Sequence, residues 1–467
     1  MLVRIIHQHD FVYKSGQKKR NTCMIKSPQL NKEVFLMDYY TKKLLTLTDK
    51  SFIADEHWLE EKTINGIPHH FIKGTWTKPC HTCPHCHAKT LIKHGTYQTK
   101  TLLPKFRQIK TVLLLKRTRY RCKTCLKTCS SSCSLVDKHC CISKELKQLI
   151  ALDLTKNISR KHICQDHFVS DVTVQRVLDK YTKQVKPSFH YLPKVLCIDE
   201  FKSVTSHLGK MSFICVDGLT HRIIDVLPSR QLDHLITYFK QFSKKARHSV
   251  RYLVMDMNAN YGKLIQKGFP NAVIVTDRFH IIQHIHRNLN TLRIKEMNTF
   301  KKEEEKAYKH LKKYWKLLLK DAFDVNDTDY HYHQSFKTYL THTQILDRLL
   351  DYSPVLKQAY EFVQELRYAY RQRDFDLFME VIHHIDPSLP EWFRKKFDIF
   401  KTYQNGIYQA FTTPYSNGIT EAINNHIKVI KRIAYGYRRF SYFRLRILII
   451  QHHSQWQKKN GKKVVNG

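Results

Sequence analysis

Long apolar runs and acidic residues are both scarce in this sequence. No apolar run approaches the roughly 20 residues that a membrane-spanning helix needs. The N-terminal residues lack the charged start, apolar stretch and small-residue cleavage site of a signal peptide. These absences argue against a membrane protein or a secreted protein, and we expect an intracellular, cytoplasmic chain.

The shortage of acidic residues gives the chain a large positive charge. Its 467 residues include 80 Lys and Arg against 40 Asp and Glu, for a formal net charge of +40. The excess is spread along most of the chain, and 42% of the residues are hydrophobic, which indicates a globular protein of two or more domains. Such a charge favours a polyanionic partner, DNA or RNA above all. A merely basic soluble protein is the alternative.

Cysteine is absent after Cys215, and most of the 13 cysteines lie between Cys80 and Cys141. In a cytosolic protein such a cluster is more typical of metal binding than of disulfides. Two C-x-x-C motifs stand out, Cys83 with Cys86 and Cys122 with Cys125. Four thiolates suit tetrahedral Zn²⁺, and strand-like runs such as TVLLLKRTRYRC can bring the motifs together. We predict a structural zinc ribbon over residues 76–140, with free structural or redox cysteines as the alternative.

Other potential zinc ligands surround these motifs. The surplus residues are Cys80, Cys129, Cys133, Cys140 and Cys141, together with His81, His85 and His87. The histidines could substitute as ligands, but one complete set of four thiolates does not need them. The run LLKRTRYRCK makes the module basic, so we expect it to contact DNA.

Residues 141–186 have the pattern of two helices joined by a tight turn. Ser143 and Glu145 begin an apolar helical pattern, a turn follows near residues 166–169, and Ser170 can cap a second helix. This arrangement is typical of a helix-turn-helix DNA-binding motif, with an ordinary helical hairpin as the alternative. The candidate recognition residues are Ser170, Asp171, Thr173 and Gln175.

Strands and helices alternate over residues 190–290. Three strands are predicted by KVLCIDEF, KMSFICVDG and HRIIDVLP, and two more by VRYLVMDMN and NAVIVTDRF, with helices at LDHLITYFKQF and YGKLIQKGF. Three strands, a helix, a strand, a helix and a strand is the order of an RNase H-like sheet, an α/β fold with mixed strand directions.

The remaining segments, residues 1–75 and 291–467, carry fewer motifs. Residues 291–404 have charged amphipathic helices and few strand signals, which predicts an all-helical insertion. Residues 405–456 would supply the final helices of the α/β domain, and residues 457–467 a basic tail. No motif gives residues 1–75 a role, although VFLMDYY and HHFIKGTW suggest strands.

Carboxylates follow two of the predicted strands. Asp199 and Asp256 lie at strand ends, where open sheets place ligand sites. Because neighbouring residues of a strand point to opposite faces, only one of Asp199 and Glu200 can share a site with Asp256. Carboxylates from two strands and a helix could hold two divalent cations roughly 4 Å apart for phosphodiester displacement, and Mg²⁺ suits such oxygen ligands. For each Asp, a solvated turn is the alternative.

A helix predicted within SNGITEAINNHIKVIKRIAYGYRRF, residues 416–440, supplies the third candidate carboxylate. Its polar stripe consists of Glu421, Asn425, Lys428 and Arg432, with Asn424 beside it. The opposite face, which we expect to be buried, carries Ile423, Ile427, Ile430 and Ala434. Asp277 also ends a strand and is the rival, although Arg278 offers it a local ion-pair partner. A merely solvated Glu421 is the alternative, and His280 is interpreted as a structural helix-start residue.

Several of these motifs resemble the bacterial ISL-three family of insertion-sequence transposases. They are IDEF at 198–201, VMDMNANY at 254–261, TDRFH at 276–280 and the stretch 416–448, with RYRCKTCLKT and SLVDKHCCIS resembling that family's zinc ribbon. The resemblance covers roughly residues 60–455, and it implies a catalytic DDE triad of Asp199, Asp256 and Glu421. Cys129, Cys133 and the first 50 or so residues depart from the family pattern.

The resemblance implies a multidomain DNA transposase. A zinc ribbon and a helix-turn-helix would bind terminal inverted repeats. An RNase H-like catalytic domain, interrupted by the helical insertion, would cleave and transfer strands with Mg²⁺ or Mn²⁺. We expect double-stranded DNA as partner, a homodimer or higher oligomer on it, and a bacterial cytoplasmic location at the nucleoid. The expected phosphate contacts are Lys428, Lys431, Arg432 and Arg438. A DNA-binding regulator with an inert transposase-derived domain and a structure-specific nuclease are the alternatives.

Overall fold

The computed structural model describes residues 37–182, 185, 187–204, 209–257 and 261–451. The predicted basic tail, residues 457–467, and residues 1–36 lie outside these ranges. The chain divides into two compact units, Met1–Cys141 and Ile142–Gly467, and each is described by itself.

A five-stranded sheet forms the first unit. Its strands are β1 (Phe52–Ile64), β2 (Ile67–Trp76), β3 (Leu91–Leu102), β4 (Lys110–Cys122) and β5 (Thr128–Ser130). Their spatial order is β1-β2-β4-β3, with β5 paired to β4. β2 and β4 run parallel, and the other neighbours run antiparallel. The boundary predicted between residues 75 and 76 therefore falls inside one sheet, because β2 and β4 pair across it.

Two strands were predicted before the zinc ribbon, and the structure confirms one of them. HHFIKGTW lies within β2, as predicted. The end of VFLMDYY is instead helical, which corrects the prediction for its described residues. Asp38 accepts the backbone N–H of Thr41 at 2.6 Å and caps helix α1 (Tyr39–Leu44). This side-chain cap favours a first helical turn despite the strand-like composition.

Three helices begin the second unit: α2 (Lys144–Asp153), α3 (Arg160–Asp166) and α4 (Asp171–Thr182). A serine hydroxyl caps each of them. Ser143, Ser159 and Ser170 accept the backbone N–H three residues further on, at 3.1, 3.1 and 3.3 Å respectively. The helices predicted after Ser143 and Ser170 are thus present, and α3 lies between them.

The second unit contains a mixed sheet of five strands. They are β6 (Val195–Lys202), β7 (Met211–Asp217), β8 (Ile223–Leu227), β9 (Tyr252–Met255) and β10 (Val273–Thr276). The spatial order is β10-β9-β6-β7-β8. β6, β7 and β8 are antiparallel neighbours, whereas β9 and β10 extend the sheet in parallel from β6. Helices α5 (Leu232–Lys240), α6 (Lys244–Ser249) and α7 (Gly262–Gly268) connect the later strands. Element order and mixed directions match the prediction.

Alternation along β6 divides the hydrophobic core into two layers. Val195 and Cys197 face one cluster, and Leu196 and Ile198 face the other. The side of Leu196 is covered by the helices between the strands. The side of Val195 is covered by later helices, so residues on both faces of β6 are buried.

The inserted segment is mostly but not wholly helical. Its helices are α8 (Arg278–Glu303), α9 (Glu305–Lys313), α10 (Trp315–Leu318), α11 (His342–Leu350), α12 (Pro354–Gln372), α13 (Phe375–His383), α14 (Glu391–Arg394) and α15 (Asp398–Thr402), with 3-10 turns at Ala322–Asp324 and Lys395–Phe397. A two-stranded hairpin of β11 (His331–His333) and β12 (Thr338–Leu340) interrupts them, so the all-helical prediction is wrong. Tyr332 and Tyr339 pair across the hairpin with ring centroids 5.4 Å apart, a contact that favours strands. α8 also runs through the predicted boundary at residue 290.

The chain returns to the sheet through three helices: α16 (Gln404–Thr412), α17 (Gly418–Ile433) and α18 (residues 440–451). α16 packs against β10, where a Cβ added to Gly406 would lie 2.5 Å from Thr276 Oγ1. The close approach therefore needs glycine. Of the helices within the described ranges, none combines the length and the apolar character that crossing a bilayer requires.

Contacts also join α17 and α18 to the three-helix segment. The buried Arg446 guanidinium on α18 donates to main-chain carbonyls after α2, including those of Leu154 and Ile158. On α17, Nε2 of His426 lies 3.0 Å from Oδ1 of Asn157. These contacts tie the helix that bears Glu421 to the turn between α2 and α3.

Candidate active site

Asp199 lies near the end of β6, just beyond four fully buried residues. One carboxylate oxygen accepts the backbone N–H of Glu200 at 2.7 Å. The other accepts the side-chain amide of Asn424 at 2.8 Å. Asn424 is a buried residue on α17, so this hydrogen bond joins the central strand directly to the helix that carries Glu421.

Asp256 and Asp277 follow two neighbouring parallel strands. Met255 pairs with Thr276 at the ends of β9 and β10, and this register brings the next residue of each strand to the same sheet edge. His280 lies beside both, with Nε2 2.6 Å from Asp256 and 3.8 Å from Asp277. Ligand atoms of the three residues lie within 4.8 Å of one another. His280, interpreted from the sequence as a helix-start residue, therefore contacts a candidate catalytic carboxylate.

Asn417 fixes the start of α17 against the sheet. Its side-chain amide donates to the carbonyl of Ile198 at 3.0 Å, and its backbone N–H donates to Asp277 at 3.0 Å. Asp277 therefore holds the start of α17 against the sheet. Arg278 donates to the carbonyl of Pro414 at 3.0 Å rather than forming the local ion pair expected from the sequence.

Glu421 lies one helical turn beyond Asn417, on the exposed side of α17. Three of the four residues predicted on the opposite face are buried, with Ile423, Ile427 and Ile430 at most 5% exposed. Ala434 is the C-cap and is only half-buried. Burial of the isoleucines sets the rotation of the helix and aims the polar stripe away from the core.

A cavity of about 720 Å³ brings the candidate carboxylates together. The acidic residues along its wall are Asp199, Glu200, Asp256, Asp277 and Glu421. Glu200 lines it as well, although alternation predicted that Asp199 and Glu200 would not share a site. The two differ in their partners. Arg230 contacts Glu200 at 2.5 Å and the Tyr261 hydroxyl donates to it, so its charge is compensated.

Burial and neighbouring charges shift the pKa values of Asp199, Asp277 and His280. Burial, together with the charges of Asp256 and Asp277, raises the pKa of Asp199 to about 6. Burial likewise raises the pKa of Asp277. The contact with Asp256 raises the pKa of His280. The cavity therefore concentrates negative charge that the neighbouring side chains only partly balance.

The predicted phosphate-contacting residues of the last helices fall into two groups. Lys428 lines the cavity, and Arg432 and Arg438 are exposed. Lys431 differs, because its ammonium donates to the carbonyls of Lys202 at 3.3 Å and Ser203 at 2.6 Å. Those bonds hold α17 to the end of β6, a use that residue type and spacing did not reveal.

The predicted recognition residues on α4 are also partly engaged. Ser170 is the helix cap, and its hydroxyl lies 3.1 Å from that of Thr173. Gln175 accepts from Arg160 and donates to Asp179 at 2.8 Å. Asp171 pairs with the same arginine. The sequence could not show these contacts, because Arg160 comes from the preceding helix.

In the first unit the four predicted zinc ligands meet. Their sulfur atoms all lie within 4.8 Å of one another, and the residues are Cys83, Cys86, Cys122 and Cys125. Leu91 pairs with Cys122 in the β3–β4 hairpin, which brings both motifs to one end of it. A backbone N–H from Cys125 is the main cause that lowers the pKa of Cys122 to about 6, which favours the thiolate that binds metal. Within the described residues, no surplus cysteine or flanking histidine joins this cluster.

Comparison with known proteins agrees with this geometry. Residues 196–447, more than half of the chain, match the sequence profile of the ISL-three transposase family. The chain belongs to this family. Residues 79–125 match the zinc-finger of the transposases IS204, IS1001, IS1096 and IS1165. The ISL-three chain therefore combines a structural zinc ribbon with a transposase domain, and both indicate DNA binding.

Two curated relatives share parts of this ISL-three chain. The transposase for insertion sequence element IS1001 of Bordetella parapertussis is 27% identical over 260 residues, which cover 54% of this chain and 59% of that protein. A Lactococcus lactis subsp. lactis protein named ATP-dependent protease is 40% identical over 124 residues, which cover 27% of this chain and 40% of that protein. The matches span less than two thirds of either relative.

Sequence reasoning missed the residues that position the ISL-three carboxylates. Asn417 is the N-cap of α17, and Asn424 lies seven residues later within the helix. Asn424 was placed beside the polar stripe, but its bond to Asp199 could not be read from spacing alone. His280 lies three residues after Asp277, and that spacing was the available signal for its contact with the site.

Proposed function

We propose that this protein is a DNA transposase that binds the terminal inverted repeats of an insertion sequence and catalyses strand cleavage and strand transfer. The observation that carries the proposal is the single cavity lined by Asp199, Asp256 and Glu421. Three carboxylates from two strands and a helix are the ligands that metal-dependent phosphodiester chemistry requires.

The residues fit a site for Mg²⁺ or Mn²⁺. All candidate ligands are hard oxygen donors. Burial, together with the charges of Asp256 and Asp277, raises the pKa of Asp199, and a bound cation would favour the ionised carboxylate. In the proposed site Asp199, Asp256 and Glu421 hold the ions, which supply activation of the attacking oxygen and stabilisation of the leaving oxygen.

Other side chains keep the ligands in position. Asn424 orients the Asp199 carboxylate, and His280 orients Asp256. Asp277 binds the backbone of Asn417 and so sets where α17 begins. We therefore assign Asp277 and His280 positioning roles, and Glu421 the third ligand position.

DNA would lie along the basic side of α17. Lys428 in the cavity wall and the exposed Arg432 and Arg438 are available for phosphate contacts. The segment α3–turn–α4 has helix-turn-helix order and would read the terminal repeat through α4. Because an element has two ends, we propose a homodimer or higher oligomer on double-stranded DNA, acting in the bacterial cytoplasm at the nucleoid.

The proposal is tested with Asp256→Asn against the wild type on labelled DNA that carries the element ends, with Mg²⁺ or Mn²⁺. We expect the variant to bind the DNA but to lose cleavage and joining. A wild type that binds specifically and never cuts would favour the regulator. A wild type that cuts but never joins would favour the nuclease.

The zinc site has its own test. The purified protein should contain one zinc per chain, and Cys122→Ser should lose the metal and the folding of the first unit, since structural zinc contributes folding free energy directly. Cys140→Ser, an exposed cysteine outside the cluster, is the matched control and should retain zinc. A zinc-free wild type with intact folding would contradict the assignment.

A further inference from the structure

A tyrosine with an unusual backbone conformation follows α17, the helix that carries Glu421. Tyr435 follows α17 in the left-handed region, with φ +54°, and Gly436 comes next at φ +101°. The N–H of Gly436 donates to the carbonyl of Lys431 at 3.1 Å, and that of Tyr435 to Arg432 at 3.0 Å. Glycine is the residue usually found in the left-handed position of such a helix end. Here tyrosine occupies it.

The ring of Tyr435 is not buried, so burial of this ring does not stabilise the fold. The side chain is 96% exposed, the highest value among the exposed large hydrophobic residues of the described chain. A residue with a Cβ is disfavoured in the left-handed region, and burial does not compensate for it. Retained backbone strain at an exposed side chain points to a function for that side chain.

The position of the ring relates it to the candidate active site. Glu421 and Lys428 are spaced seven residues apart on one side of α17, and Tyr435 follows directly after the C-cap Ala434. At the helical rise, the last residue of α17, Ile433, lies about 18 Å from Glu421 along the axis. Arg438 and Arg439, which are exposed, follow Tyr435 in the chain. A cationic stripe thus leads from the carboxylates to an exposed aromatic ring.

We propose that Tyr435 is a nucleobase-stacking residue that binds an unpaired base of DNA lying along α17. Cations hold the phosphates in this arrangement, and the ring offers a flat apolar face to the base. Bases inside a matched duplex already stack on both faces, so the expected ligand is an unpaired or unstacked base. The inference rests on the DNA-binding function proposed above.

The test compares binding to two mixed-sequence DNA duplexes in chelator, one fully matched and one with central mismatched bases that include a fluorescent adenine analogue. Tyr435→Gly should weaken binding to the mismatched duplex by about 5- to 150-fold, and it should leave the matched duplex nearly unaffected. Tyr435→Phe should retain the affinity and the fluorescence quenching. Tyr330→Ala, an exposed tyrosine that precedes β11, is the control and should change neither.

A stability measurement separates stacking from a structural role. Because glycine adopts the left-handed region readily, Tyr435→Gly should raise the melting temperature while it weakens binding. A lower melting temperature together with equal weakening on both duplexes would overturn the inference. The inference is also overturned if Tyr435→Gly binds the mismatched duplex as tightly as the wild type does. If the wild type nevertheless binds and cuts DNA, the proposed function stands. If the wild type binds neither duplex, the stacking inference fails, and the proposed function is then decided by the test on DNA that carries the element ends.

Discussion

Two carboxylates of the same sheet, the buried Asp225 and the half-buried Asp199, have opposite surroundings. Asp225 on β8 accepts from the Tyr238 hydroxyl at 2.8 Å and from Arg444 of α18 at 2.6 Å, so its charge is paired. Asp199 on β6 receives an amide from Asn424 and its neighbour's backbone N–H, and no cation pairs with it among the described residues. Further aspartates lie nearby instead.

The difference separates a structural carboxylate from one that we propose as a metal ligand. A buried charge is tolerated when an opposite charge and hydrogen bonds satisfy it. Where like charges are gathered instead, the folded state is less stable until a cation binds, and such clusters mark functional sites. Asp225 therefore fastens α18 to the sheet, whereas the surroundings of Asp199 support its proposed role as a metal ligand.

The largest effect should come from unpairing the structural carboxylate. Arg444→Met leaves Asp225 buried without its cation and should lower the free energy of unfolding by about 3–5 kcal/mol in denaturant titrations. Adding Asp225→Asn to that variant should recover part of the loss. A loss below about 1 kcal/mol would show that Asp225 does not depend on Arg444.

Substitution of Asp199 should raise the free energy of unfolding, whereas Arg444→Met should lower it. The pKa of Asp199 is raised to about 6 in the folded state. Its contribution to stability is therefore full below the unfolded-state pKa of about 4 and is lost as the pH rises through about 6. In chelator at pH 8, Asp199→Asn should raise the free energy of unfolding by up to about 3 kcal/mol, with no gain below about pH 4. Asp225→Asn is the matched control and should destabilise the fold.

Stabilisation by Mg²⁺ should depend on the same titration. Binding requires the ionised carboxylate, so the melting-temperature increase caused by Mg²⁺ should shrink as the pH falls below about 6. One pH unit below the pKa, about 1.4 kcal/mol of the stabilisation should be lost. An increase in melting temperature that is constant between pH 5 and about 8 would contradict the assignment of Asp199 as a ligand.

The smallest stability effect is expected at Glu421. This side chain is exposed, so Glu421→Gln in chelator should change the free energy of unfolding by less than about 0.5 kcal/mol. The same variant should lose DNA cleavage and most of the Mg²⁺ stabilisation. A large loss of stability in chelator would make Glu421 structural and reopen the choice of Asp277 as third ligand.

Local patterns predicted much of the fold correctly. The two C-x-x-C motifs identified the cysteine cluster, and the alternation of apolar runs identified the order of β6 to β10. The isoleucine periodicity predicted the buried face of α17. Each of these signals depends on residues close in sequence, where period and spacing directly reflect backbone geometry.

Local patterns did not show the contacts that a partner distant in sequence supplies. The β11–β12 hairpin is short and depends on cross-strand pairing of Tyr332 and Tyr339. The phosphate contact of Lys431 stays a prediction, and the sequence did not show that its ammonium donates to carbonyls at the end of β6. The base contact of Gln175 also stays a prediction, and its contact with Arg160 was not foreseen. Residue type alone cannot distinguish a side chain that awaits a ligand from one that already has a partner.

The sequence by itself determined the family motifs, the zinc ligands, the order of the elements and the basic character of the chain, because each is a property of composition or short-range spacing. Only the tertiary structure decided which aspartate is paired and which is not. Asp199 and Asp225 look alike in a strand pattern, and the difference arises because α17 brings an amide to one, whereas α18 brings a guanidinium to the other.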